Sequence, residues 1–271
     1  MTTLVTWMRS DPRFFQLIAQ SFIITYASLF LEHSFSWMGA AALFLSGVFF
    51  SRLIARPDLL NFSFFNTTLS AMILIRCENL WPWMAMGVFT MIAKLLAKKR
   101  GHHIFNPSNF ALVLGLILFS DSVWIDPGLW AQDGLMIVFC LVMGVFVTAK
   151  AKVLGASLTF LLFIILFEVV RALGLGDPIS IPLHNLQNGG LFIFSFFTLS
   201  DPKTAPRTLA LQMIYAIFIS ALSFSLSYAL FVRGPWFYSL FLVNMIMPQF
   251  LNLFKRDQPS EYLWKRLPLA S

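Results

Sequence analysis

Between Phe14 and Phe254 the chain is a succession of apolar runs joined by short polar connections, and that alternation leaves few folds open to it. The runs fall at about Phe14 to Leu31, Ser36 to Ile54, Leu59 to Ile75, Leu80 to Ala97 and Pro107 to Ser120. They continue at about Gly134 to Ala149, Val153 to Ala172, Gly189 to Ser200, Leu209 to Val232 and Pro235 to Phe254. A chain in lipid must satisfy its own backbone polar groups, so such runs are expected to be helices. Composition agrees: 58% of residues are hydrophobic, only 11% are charged, and the mean hydropathy is +0.78. The expected class is an all-α, polytopic membrane protein with about ten transmembrane helices and the lipid bilayer as its solvent.

The basic residues give the orientation. Arg9, Arg13, Arg52, Arg56, Lys94, Lys98, Lys99, Arg100, Lys150, Lys152, Lys203, Arg207 and the four of the C-terminus fall on one side of a ten-span drawing, 16 in all; Arg76, Arg171 and Arg233 fall on the other. These account for all 19 lysines and arginines. Cytoplasmic connections of membrane proteins carry such an excess, so both termini are expected in the cytoplasm of a bacterial inner membrane. The net charge of +7 is thereby absorbed into topology, and nucleic acid is not expected as a partner. Cys77 and Cys140, the only cysteines, exclude a thiolate-held cluster or a structural zinc site made by this chain alone, and no metal is expected. A cleavable signal peptide is not expected either, because Met1 to Arg13 is polar and Glu32-His33 follows the first run.

Two runs are too short to cross alone. Pro107 to Ser120 and Gly189 to Ser200, at 14 and 12 residues, reach only about 21 and 18 Å as helices, against a hydrocarbon core of roughly 30 Å. Each is expected to be a half-helix continued by irregular backbone, a form that marks binding sites near the bilayer middle. Ten spans divide into five and five, residues 1–133 and 134–271, and an odd number per half would set the halves upside down to each other, as two inverted repeats of one membrane domain.

Both short runs carry polar motifs at one end. In Gly101-His102-His103-Ile104-Phe105-Asn106-Pro107-Ser108-Asn109-Phe110, Asn106 reads as a helix cap and Pro107 as the first helical residue. Phe196-Phe197-Thr198-Leu199-Ser200-Asp201-Pro202 closes the eighth run on the same side. One reading is a proline-terminated helix whose Asp201 pairs with Lys203. The other is a convergence of helix start, helix end, carboxylate and amides in one pocket walled by Phe105, Phe110, Phe196 and Phe197. Such a pocket suits a flat heteroaromatic ring, stacked on aromatic faces and read at its edge by amides.

At these residues the chain resembles the membrane subunit shared by the sodium-pumping NADH:quinone reductase (NqrB) and the Rnf electron-transport complex (RnfD). The tags run in order through most of the chain: Asp58; Ser70-Ala71, where the family tends to have Thr-Gly; Trp81-Pro82-Trp83; Ala93-Lys94; Gly101; Phe105-Asn106-Pro107; Ser200-Asp201-Pro202-Lys203-Thr204-Ala205, of the Thr-Asp-Pro-Val-Thr-Ala type; and Asn244-Met245-Ile246-Met247-Pro248. The resemblance implies ten spans and noncovalent riboflavin or FMN in an electron-transfer subunit of a larger complex, not a stand-alone enzyme. Other membrane or peripheral redox subunits would be its partners, with quinone a further one and coupling to ion transport a further property. It implies that Asn106 meets the flavin edge, that Asp201 takes a ring N–H or a ribityl hydroxyl, that Asn109, Ser70, Asn66, Phe105 and Phe197 line the pocket, and that Lys94 lends positive charge.

Two departures qualify this. His103 stands where the family often has Asn, and the Ser/Thr-Gly-Ala-Thr signature that takes a phosphoester-linked FMN is missing from the short connection Asp121 to Asp133, so no covalent FMN is expected. Two other classes keep the fold: a transporter of flavin or a small anion working by alternating access, and a cofactor-less scaffold subunit.

Among the remaining polar residues, Glu168 and Arg171 are spaced to pair on one helix face, and a proton or ion role for Glu168 competes with simple snorkelling. His102 and His103 read as a loop at the lipid headgroups, Asp177 and His184 as structural, Cys140 as packing, and the eight Trp as interfacial anchors.

Overall fold

Several helix starts in this chain are set by side-chain caps. In the computed structural model, which describes residues 11–60, 62–96, 104–126, 133–202 and 204–253, five helices begin on a residue whose side chain accepts from the first free N–H groups: Asp11, Ser36, Asn106, Asp133 and Asn188. The fold is all-α. Helix α1 spans Pro12–Phe30, α2 Trp37–Leu53, α3 Phe62–Leu74, α4 Leu80–Leu96 and α5 Pro107–Leu118. Then come α6 Gly134–Lys150, α7 Leu154–Leu175, the short α8 Ser180–Leu186, α9 Gly189–Ile193, α10 Leu209–Tyr228 and α11 Pro235–Leu253. His102, His103, Lys203 and both chain termini lie outside the described residues.

Four details differ from the sequence expectation. The third run opens with a 3-10 turn, Pro57–Leu59, and becomes α-helical only at Phe62. It ends in a strand, β1 Ile75–Cys77, antiparallel to β2 Val123–Ile125 in the register Ile75↔Ile125, Arg76↔Trp124, Cys77↔Val123. The buried Asp126 carboxylate just beyond β2 accepts from Arg76 at 2.5 Å and lies 3.3 Å from His33, tying the α1–α2 connection to this hairpin. The connection before Gly189 folds as α8, and α9 passes into a π-helical turn, Phe194–Thr198. Sequence periodicity could not show these, because three-residue strands and a single π turn leave no repeating pattern.

Helices α7 and α10 are long and apolar enough to cross a membrane; α2, α3, α4, α5, α6, Gly189–Thr198 and much of α11 are shorter apolar helices. Large apolar side chains point outward, among them Leu45 and Phe49 of α2, Leu162 of α7 and Phe218 of α10, all more than half exposed. Polar side chains point inward instead. Thr67, Thr68, Thr90, Thr148, Ser195 and Ser220 donate to carbonyls four residues back in their own helices. Others cross-link helices: Gln20 donates to Ser70 at 2.6 Å, Ser157 to the Ser195 carbonyl at 2.7 Å and Tyr215 to Asn244 at 2.8 Å.

The packing pairs of the first half recur in the second. Helix α2 lies along α4 as α7 lies along α10, and α4 meets α5 as α10 meets α11. Helix α1 meets α3 as α6 meets α9 and its π turn. The halves join where like meets like: α1 with α6, α3 with α9, α5 with α11.

Candidate functional site

The start of α5 and the end of the π turn touch. Asn106 lies in extended backbone conformation, and its Oδ1 accepts from the backbone N–H of Ser108 at 2.9 Å and of Asn109 at 3.4 Å, while Pro107 fills the first helical position. Its Nδ2 donates to the Thr198 carbonyl at 3.0 Å, a bond buried across 92 residues of sequence. The amide is therefore a strut between the two interrupted helices, with its oxygen committed to the cap. The π turn takes its shape from the Leu199 N–H, which bonds the Phe194 carbonyl at 2.8 Å, five residues back. Ser200 donates to the Phe196 carbonyl, and the Asp201 carbonyl accepts from the backbone N–H groups of Thr204 and Ala205 at 3.0 and 2.8 Å, so the chain turns out of the bundle at Pro202. The π turn can sit this close to α6 because residue 144 is glycine: a Cβ there would lie 2.4 Å from the Phe196 ring.

Beside this junction is a polar cavity of about 210 Å³. Of the residues expected from sequence, Asn106, Asp201, Ser70, Asn66, Lys94 and Phe197 line it. Lys94 is 4% exposed; its Nζ donates to the Leu59 carbonyl at 2.9 Å and lies 5.1 Å from the centre of the Phe64 ring. Asn66 donates to the Arg13 carbonyl at 3.0 Å and to Gln16 at 3.3 Å, and its buried Oδ1 has no hydrogen-bond partner.

Three residues expected at the pocket, Phe105, Phe110 and Asn109, are elsewhere. Phe105 stacks on Phe241 of α11 at 4.8 Å and packs against Phe110 at 5.2 Å, while Asn109 donates to the Phe237 carbonyl at 3.1 Å. Asn106, an extended cap outside the helix proper, turns its side chain to the π turn, while Asn109, inside the helix, meets α11.

The cavity also gains residues that the sequence reading did not assign to it. Arg13, Gln16, Asp58 and Thr148 line it. No known protein family and no curated protein matches the chain in sequence. The signal for Arg13 was present in Asp11-Pro12-Arg13: Asp11 caps α1 and holds the Arg13 guanidinium at 2.5 Å, fixing its position beside α3. Asp58 follows Pro57 in the 3-10 turn, and its carboxylate, hydrogen-bonded to exposed Arg56 at 2.9 Å, raises that guanidinium above its ordinary value.

With Arg13 and Lys94 against Asp58 and Asp201, the wall is balanced in charge and rich in donors and acceptors. Such a wall recognises a polar edge carrying both donors and acceptors rather than a bare ion. Among the described residues no group of three or more His, Cys, Asp or Glu is placed to hold a metal ion.

Proposed function

We propose that this chain is a ten-span, flavin-binding electron-transfer subunit of a redox complex in the bacterial inner membrane, related to NqrB and RnfD, with both termini in the cytoplasm. The observation that carries the reading is the strut between Asn106 and Thr198, which joins the two motifs on which the resemblance rests and sets Asp201 in the same cavity. An apolar exterior with partnered polar side chains buried within the core is an arrangement a bilayer favours, since lipid replaces water outside and polar groups must find partners inside. The recurring packing pairs support two five-helix repeats, and the break at α9 and the short α5 support a binding site between them.

In this reading the cavity takes the hydrogen-bonding edge of the ring. Asp201 accepts from a ring N–H, and Phe196 and Phe197 stand beside the ring plane. A reduced flavin carries negative charge, which Lys94, Arg13 and the start of α5 stabilise. Protein purified in detergent is then yellow and releases riboflavin or FMN on denaturation, and Asp201→Ala is colourless while still monodisperse. Colourless wild-type protein, with no flavin in the denatured extract, overturns the reading.

One observation favours a second reading. At about 210 Å³ the cavity is below the roughly 300 Å³ of ordinary small-molecule sites, so it encloses a small solute more readily than a whole flavin. A transporter of such a solute would show uptake into vesicles and free exchange of ligand, where a redox subunit retains its flavin.

A further inference from the structure

A second cavity, lined by Glu168, Trp124, Asp126 and the start of α11, has about 700 Å³, inside the roughly 300–1,000 Å³ range of small-molecule sites. Its walls include the rings of Phe224, Trp236 and Tyr238. Two polar groups on these walls lack what they need. The Ser223 Oγ is buried, at 1% residue exposure, and has no hydrogen-bond partner. Among the described residues, Glu168, half-buried on α7, receives only the Tyr228 hydroxyl, 2.9 and 2.7 Å from its two oxygens. One phenol proton cannot satisfy a carboxylate, which offers about four acceptor sites.

The cation that sequence spacing assigned to Glu168 is engaged elsewhere. Arg171 pairs with Asp177 at 3.3 Å and lies over the Tyr228 ring at 4.2 Å. Among the described residues no Lys, Arg or His forms an ion pair with Glu168. Of the other charged groups on the wall, Asp126 is an anion held by Arg76 and His33, and Arg233 is solvent-exposed and, among the described residues, forms no ion pair with Glu168. A carboxylate short of donors, a buried hydroxyl short of a partner and several ring faces together describe a receptor for a positively charged nitrogen attached to an apolar body.

We propose that this cavity binds a primary organic amine, its ammonium donating to Glu168 and Ser223 and its apolar part lying against Trp236, Tyr238 and Phe224. The site is independent of the flavin reading.

The full chain in phosphatidylcholine nanodiscs is titrated with radiolabelled phenethylamine, with 2-phenylethanol as the uncharged competitor of the same shape. One saturable site per chain is expected, with the alcohol competing at least about tenfold more weakly, the worth of one charge-assisted hydrogen bond. Glu168→Gln, which keeps an acceptor for Tyr228, weakens the amine about tenfold and leaves the alcohol unchanged; Ser223→Ala weakens the amine about threefold. Binding persists in Asp201→Ala, so failure of the flavin assay leaves this result standing. Absence of a saturable site, equal binding of amine and alcohol, or unchanged amine binding in Glu168→Gln overturns the proposal. Where Glu168→Gln does not fold, the wild-type comparison of amine with alcohol decides.

Discussion

The smaller cavity lies among α1, α3, α4, α5, α6 and the π turn and the larger among β2, α7, α9, α10 and α11, and their polar groups are used differently. At the smaller cavity the side chains mostly hold the protein to itself: Asn106 ties α5 to the π turn, Asn66 ties α3 to α1 although its Oδ1 has no partner, and Lys94 ties α4 to the 3-10 turn. At the larger one, Ser223 has no partner and Glu168 has a single donor. A cavity whose walls are cross-linked is shaped before any ligand arrives and keeps its form at the cost of volume. One with unsatisfied groups keeps volume and leaves part of its hydrogen bonding to a ligand.

The largest test of that contrast is Asn106→Ala. It removes a helix cap, worth about 0.5–2 kcal/mol, and a hydrogen bond between helices, worth about 0.6–1.7 kcal/mol in membranes. A loss of roughly 2–3 kcal/mol is expected in detergent unfolding. Asn106→Asp keeps the cap and should recover part of it. A loss under about 0.5 kcal/mol would mean that the strut does not hold the two short helices together.

Gly144→Val comes next. Its side chain meets the Phe196 ring, where even a Cβ would approach to 2.4 Å, so the π turn must move away from α6. Destabilisation of about 1–3 kcal/mol is expected from overpacking, and flavin retention should fall with it. Stable, flavin-loaded Gly144→Val would show that the smaller cavity is not shaped by this contact.

The same kind of change at the other cavity should matter less. Tyr228→Phe removes the single donor to Glu168 but no helix cap, and about 1 kcal/mol is expected. A loss as large as that of Asn106→Ala would erase the distinction between cross-linked and open walls.

The smallest effect concerns β1. Burial pushes the Cys77 thiol up to about 12, so little reactive thiolate is present near neutrality. Maleimide labelling at pH 8 is expected to be slow in folded protein, to quicken as pH rises toward that value, and to become fast on denaturation. Fast labelling at pH 8 would mean that the hairpin beside the larger cavity opens freely.

Much of the helical layout was readable in advance. Apolar runs located most of the helices, and Asn106-Pro107 announced the start of α5, because a cap is a local bond between a side chain and the next few N–H groups. Six of the eight expected site residues share one cavity, since the motifs carrying them flank chain breaks that the fold brings together. Phe105 and Asn109 were misassigned for want of the helix rotation, which depends on what α11 offers and not on the residues themselves. The Glu168–Arg171 pairing failed for a related reason: three-residue spacing allows an ion pair, but Asp177 and the Tyr228 ring compete for the same guanidinium.

The order of residues by itself settled which stretches are apolar and where α5 begins, because hydropathy and capping act over a few neighbouring positions. Which carbonyl Asn106 would meet, how near the π turn could come to α6, and that Glu168 would be left with one donor were decided only by packing. Those outcomes depend on atoms brought together from distant parts of the chain, and no local pattern encodes the distance between them.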